Sequence, residues 1–253
     1  MSYGALTLVV LGAGFIGGLL SWLVRRKVRV ETLRRHHEIG TAVSMQLGVV
    51  FAVLLAFVFN EVWSEYLSAA RSIEHEAASL HTISLLAQSL PPPPRAAIDG
   101  AISRYAEKVA TEEWVTMTRN HHSDAARDAL VELWRAVMQA PAPTPGTADT
   151  RPQLLSLLER VHAMRELRLT TARTDVPGVL WTLLLCFTAA MVGALLWFGV
   201  EYVWSQVAFV AGFVACLAFA LALVHMLDRP FEGALRIGPE RFEAVARMVA
   251  HTP

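Results

Sequence analysis

The sequence predicts an all-α integral membrane protein: four transmembrane helices with a helical extramembrane domain between spans 2 and 3. Three observations carry this. Four stretches hold no Asp, Glu, Lys or Arg: Met1–Val24, Ile39–Asn60, Val176–Val200 and Tyr202–Leu227. Each reaches the roughly 20 helical residues needed to cross a hydrocarbon layer about 30 Å thick. Five of the seven tryptophans, Trp22, Trp63, Trp181, Trp197 and Trp204, fall near the ends of those stretches, where an indole keeps one edge wet. The intervening chain shows helical stripes and no strand-like alternation. Overall the chain is 54% hydrophobic and only 17% charged over 253 residues, with a mean hydropathy of +0.42.

Span 1 covers about Gly4 to Val24. Within it, Gly12, Gly14 and Gly17 spell G-x-G-x-x-G, and Glu31 follows where a dinucleotide fold wants an acid. A Rossmann unit needs an amphipathic helix after the turn, whereas this segment stays apolar to Val24 and then turns basic. The glycines are therefore read as helix packing: Gly14 and Gly18 share one face, and small residues four apart let membrane helices approach closely. No positive charge precedes the apolar run, so it reads as a retained anchor and not as a cleaved signal.

A link with six Lys or Arg between Arg25 and Arg35 leads to span 2, about Thr41 to Asn60. No Gly or Pro occurs from Val49 to Leu90, and Val62, Tyr66, Ala69, Ile73, Ala77, Leu80 and Ser84 recur at steps of three or four. The span 2 helix is thus expected to continue about 30 residues, roughly 45 Å, beyond the membrane. Pro91–Pro94 stop it, because proline lacks the amide donor and restricts its predecessor. A helix from about Arg95 to Met117 follows, with Ile98, Ile102, Tyr105 and Val109 inward. Ser123 reads as the N-cap of a helix to about Gln139. Thr150–Gln153 reads as a capping box opening a helix through Leu154, Leu158 and Met164, which Pro177 kinks or breaks before span 3. Spans 3 and 4 turn near Glu201, and a short amphipathic helix starts near Pro239. The expected organisation is spans 1 and 2 with their basic loop in 1–60, and the helical extramembrane domain in 61–175. Spans 3 and 4 occupy 176–227 and the tail 228–253.

Chemistry is sparse. His36 and His37, and His121 and His122, are adjacent and diverge on a helix; His75 and His81 are six apart. No metal-ligand spacing, nucleophile elbow or phosphate loop occurs, so neither cofactor, metal nor enzyme activity is expected. Cys186 and Cys216 read as small buried hydrophobes. Glu74 and Glu76 beside His75, and Glu112 and Glu113 beside Trp114, read as solvated helix faces. A net charge of zero argues against a nucleic-acid partner.

Span 2 carries the pattern that calls for an explanation. Gln46, Val50, Val53, Phe57 and Asn60 advance by four, three, four and three residues. They form one stripe, polar at both ends and apolar between. Polar side chains facing lipid are costly, so the stripe faces protein or water. One reading is helix packing within a subunit. The other is the wall of a pore around a symmetry axis, its apolar middle gating by dewetting. Glu61 and Glu65 would then place charge at the pore mouth. Two functions follow: a homo-oligomeric ion channel with span 2 around the axis, or a membrane-anchored sensor or scaffold whose helical domain binds a partner or ligand.

Three segments carry a resemblance: FNEVWSEYLSAARSIEHEAASL from Phe59, YAEKVATEEWVTM from Tyr105, and LDRPFEGALRI from Leu227. They resemble the bacterial DUF4239 family of bestrophin-like proteins. Asn60, Trp63, Tyr66 and Arg71 are similar to the asparagine, aromatics and arginine of bestrophins, with Arg71 one place off. The resemblance implies a bestrophin-like fold in the bacterial inner (plasma) membrane. It also implies a pentamer or other cyclic homo-oligomer in the lipid bilayer, inorganic ions as cargo, and span 2 at the pore. It implies a cytoplasmic helical domain, whereas the positive-inside rule applied to the basic link places that domain outside. Arg165, Arg168, Arg173 and Arg229 weigh against the charge rule.

Overall fold

The computed structural model describes residues 1–27, 37–118, 121–140, 150–197 and 202–250. The basic link beyond Lys27 and the turn at Glu201 lie outside the described residues. The helices are α1 (Tyr3–Lys27), α2 (His37–Ala87), α3 (Pro92–Lys108), α4 (Trp114–Met117), α5 (Asp124–Met138), α6 (Arg151–Thr171), α7 (Gly178–Trp197), α8 (Val203–Leu227) and α9 (Glu240–Ala250). No strand occurs among the described residues. Four helices are long and apolar enough to cross a membrane: α1, α2 from Ser44, α7 and α8. The chain is an all-α integral membrane protein.

The chain divides into two compact units. The first comprises Met1–Ser64, Asp175–Arg229 and Gly233–Leu235. Its tightest contact is α1 against α8. A Cβ on Gly17 would lie 2.8 Å from Val214 Cγ2, and one on Gly14 3.1 Å from the Ala211 carbonyl oxygen. A Cβ on Gly18 would meet that of Ala211 at 3.4 Å, while one on Gly12 would find open space. The helices approach because the α1 residues at the contact are glycines, with no side chain to hold α8 away. α2 and α7 meet through Phe51 and Phe187, whose rings are 6.3 Å apart. At the far end of α8, Asp228 accepts a hydrogen bond from the Val176 amide at 2.9 Å, fixing the approach to α7. Burial pushes the Asp228 carboxyl above the usual range.

The second unit comprises Glu65–Thr174, Pro230–Glu232 and Arg236–Pro253. Its core joins Ile73, Leu80 and Ile83 of α2 to Ile98 and Ile102 of α3, Leu133 of α5, Leu154 and Leu158 of α6 and Phe242 of α9. These are the helical stripes expected of amphipathic helices.

Three local features differ in detail from expectation, and a fourth decides between two open alternatives. α3 starts at Pro92, inside the proline run, because proline's fixed φ suits the first turn and its missing amide costs nothing there. The expected helix to Met117 is interrupted by a π-turn at Val109–Glu113, with both of those residues buried. The Thr150 capping box does not form: its backbone is already helical (φ −84°, ψ −11°), and its side chain makes no cap bond. The α6 helix ends at Thr171 and does not run into α7. Ser123 behaves as a true N-cap, with φ −92° and ψ 122°, and its Oγ accepts from the Ala126 amide at 3.2 Å.

Candidate functional site

The stripe on α2 lies along one exposed side of the helix. Val50, Val53 and Phe57 are 53%, 66% and 65% exposed in the single chain, and Gln46 and Asn60 are exposed as well. Phe51 and Val58, about 120–140° round the helix at 100° per residue, are buried. The chain's own helices thus cover the other side of α2 and leave the stripe open. Glu61 is exposed and Glu65 half-buried. Gly14 and Gly18 stand on α1 against α8.

The second unit holds a charge network. Glu76 of α2, Glu113 of the π-turn and Arg168 of α6 have no exposed surface, and Arg165 is 3% exposed. Arg168 Nε donates to Glu76 Oε2 at 3.0 Å, and its Nη2 donates to Glu76 Oε1 at 3.2 Å and to Glu113 Oε2 at 2.9 Å. Arg165 completes a two-pronged pair with Glu113, its Nε donating to Oε2 at 3.2 Å and its Nη2 to Oε1. Tyr105 of α3 donates its hydroxyl to Glu76 Oε1 at 2.6 Å. The remaining edge of Arg168 donates to Met117 Sδ at 3.1 Å. Its guanidinium lies 5.5 Å from the Trp114 ring centre and 5.4 Å from that of Phe242. Two cations meet two anions, so the buried charges balance and nearly every donor is used.

Electrostatics follow from this geometry. Burial opposes the charge on Glu113, but Arg168 and Arg165 outweigh it and hold the carboxyl below the usual range. Burial likewise opposes charge on Arg168, while Glu76 and Glu113 raise its affinity for the proton. Burial and the Glu76 charge push the Tyr105 hydroxyl well up, so it stays a donor.

Sequence reasoning missed this network. The solvated faces that the sequence suggests for Glu76 and Glu113 do not exist: both carboxylates are fully buried, because arginines from a distant helix neutralise them. Glu74, by contrast, is exposed and pairs with exposed Arg241 at 3.2 Å. A signal was present: Glu76 sits at the spacing of Ile73 and Leu80 on the apolar stripe, and Glu113 four residues after Val109. Both belong to inward-facing positions.

Four helices long and apolar enough to cross a membrane, together with a second, wholly helical unit, define a multi-pass membrane protein with an extramembrane helical domain. The chain belongs to the bestrophin-like family, matching the Bestrophin-like domain over residues 14–242. No match is found among curated proteins. Its fold is similar to crystal structures of a bacterial bestrophin homologue from Klebsiella pneumoniae in point-mutated forms. One has a TM-score of 0.72 at 16% identity, covering 95% of this chain and 99% of that one. Another has a TM-score of 0.70 at 17% identity, covering 95% and 97%. A crystal structure described as a membrane protein matches similarly, with a TM-score of 0.72, 16% identity and 95% and 97% coverage.

Proposed function

We propose that this chain is the subunit of a homo-oligomeric ion channel of the bacterial inner membrane, in which α2 lines a central pore. Membership of the bestrophin-like family supports a channel in general. The observation that carries the finer reading is the stripe: Gln46, Val50, Val53, Phe57 and Asn60 stand together on the side of α2 that the subunit's own helices leave open. Polar groups at the two ends of a membrane stripe need water or protein, and a ring of copies around an axis supplies both. Val50, Val53 and Phe57 form the apolar constriction, which passes ions when wetted and blocks them when dry. Glu61 and Glu65 place carboxylates at its mouth. Residues 61–175 and the tail from 228 form the extramembrane part of the channel, beyond spans 1–60 and 176–227. A pentamer or another small cyclic assembly closes the ring.

The test is flux into liposomes. Replacing Phe57 with Ala removes the largest side chain of the constriction and should raise ion flux severalfold over the parent protein, because a wider, less apolar neck wets more readily. Flux that stays at background for both proteins overturns the channel reading and leaves the anchored scaffold in its place.

A further inference from the structure

The same helix carries the stripe's register past the membrane. Starting from Phe57, steps of three or four residues lead through Asn60, Ser64, Ser68, Arg71 and His75 to Ala78 and Thr82. α2 is uninterrupted throughout. At 100° per residue, Arg71 and His75 fall within about 20° of the line through the centre of the stripe, whereas Glu61 and Glu65 fall about 60° and 100° from it. Exposure agrees: Ser64, Arg71, His75, Ala78 and Thr82 are exposed, while Ile73, Glu76, Ala77 and Leu80 on the opposite side are buried. Glu74, the nearest exposed acid, is turned to Arg241 of α9.

We propose that Arg71 sets the charge preference of the pore, forming a ring of guanidinium groups that concentrates small inorganic anions. The inference rests on the pore reading of α2. Charge in a confined, partly walled passage shifts local ion concentrations strongly, and copies of one residue around an axis sum their fields. Arg71 lies 11 residues, roughly 16 Å at 1.5 Å per residue, beyond Asn60. That distance exceeds the screening length of about 8 Å at physiological salt, so the ring acts on ions in the extramembrane mouth and its effect grows as salt falls. Glu61 and Glu65 are nearer the constriction but lie about 60° and 100° off the line, so their charges at the mouth count for less along it.

The purified full-length protein is reconstituted in planar bilayers, and reversal potentials are read across a tenfold KCl gradient at low and at high ionic strength. The parent protein should favour chloride. Arg71→Glu should lower the chloride-to-potassium permeability ratio at least about threefold at low salt, with the effect shrinking at high salt. Arg71→Lys should keep the parent ratio. Glu61→Gln and Glu65→Gln should each shift it less than Arg71→Glu does. A conducting Arg71→Glu channel with the parent ratio overturns the inference and leaves the pore reading standing. So does a larger shift from either glutamate. A parent protein that passes no current overturns the pore reading itself, and the ring with it. Should Arg71→Glu not assemble, Arg71→Cys is placed in a background with Cys186→Ser and Cys216→Ser, the chain's two native cysteines. Positively and negatively charged thiol reagents should then shift the ratio in opposite directions; equal shifts, or none, overturn the inference.

Discussion

Arg168 has no exposed surface, and four of its five N–H donors meet two carboxylates and a thioether. A guanidinium is suited to such a place because its planar fork satisfies two carboxylates at once. Removing one partner strands the others: Glu113→Gln takes away the charge opposite both arginines and should cost about 3–5 kcal/mol. The readout is the thermal melt of the protein in detergent, followed by α-helical circular dichroism. The pH dependence follows from the lowered Glu113 carboxyl. A depressed folded value means its stabilising contribution is fully present above the ordinary Glu value of 4.5 and is lost as pH falls through the lower folded value. The melting temperature of the parent should therefore drop on acidification below that point. In Glu113→Gln this component of the acid dependence should vanish; an unchanged acid slope would refute the role assigned to Glu113.

At the scale of elements, two helices show how local sequence meets its surroundings. α1 is nearly featureless in hydropathy, and its glycines select which side packs. A Cβ on Gly17 would come so close to the Val214 side chain that the α1–α8 packing must shift, whereas Gly12 faces open space. Gly17→Leu should lower the melting temperature in detergent by an amount corresponding to about 1–3 kcal/mol of overpacking. Gly12→Leu should leave it within about 0.5 kcal/mol of the parent, as surface changes do. Equal effects at the two positions would rule out the α1–α8 contact as the cause. α2 illustrates the reverse case. Its period of 3.6 is legible from Val49 to Leu90, so its continuity and its inward stripe could be read from the sequence. The π-turn at Val109–Glu113 could not, because the segment's residues suit an ordinary helix. A π-turn brings an extra residue into the turn and is often found where a side chain has a special task; here Glu113 meets two arginines of α6.

For the whole molecule, the number of copies decides whether the α2 stripe has an axis. Native mass spectrometry of the detergent-extracted protein should give one cyclic assembly, a multiple of the 27.8 kDa chain. A single mass equal to one chain would leave the stripe facing lipid, which its polar ends at Gln46 and Asn60 make costly.

The sequence by itself determined the membrane spans, the long second helix, the helical domain and the polar-ended stripe. Each depends on the order of apolar and charged residues along one helix, and that order is local. Family membership was legible too, in the segments from Phe59, Tyr105 and Leu227. Only the tertiary structure decided which charges are buried. Glu76 and Arg168 stand 92 residues apart, and Glu113 and Arg165 52, so no period or spacing connects them. A carboxylate on a helix reads as solvated until an arginine from another element is seen to replace its water.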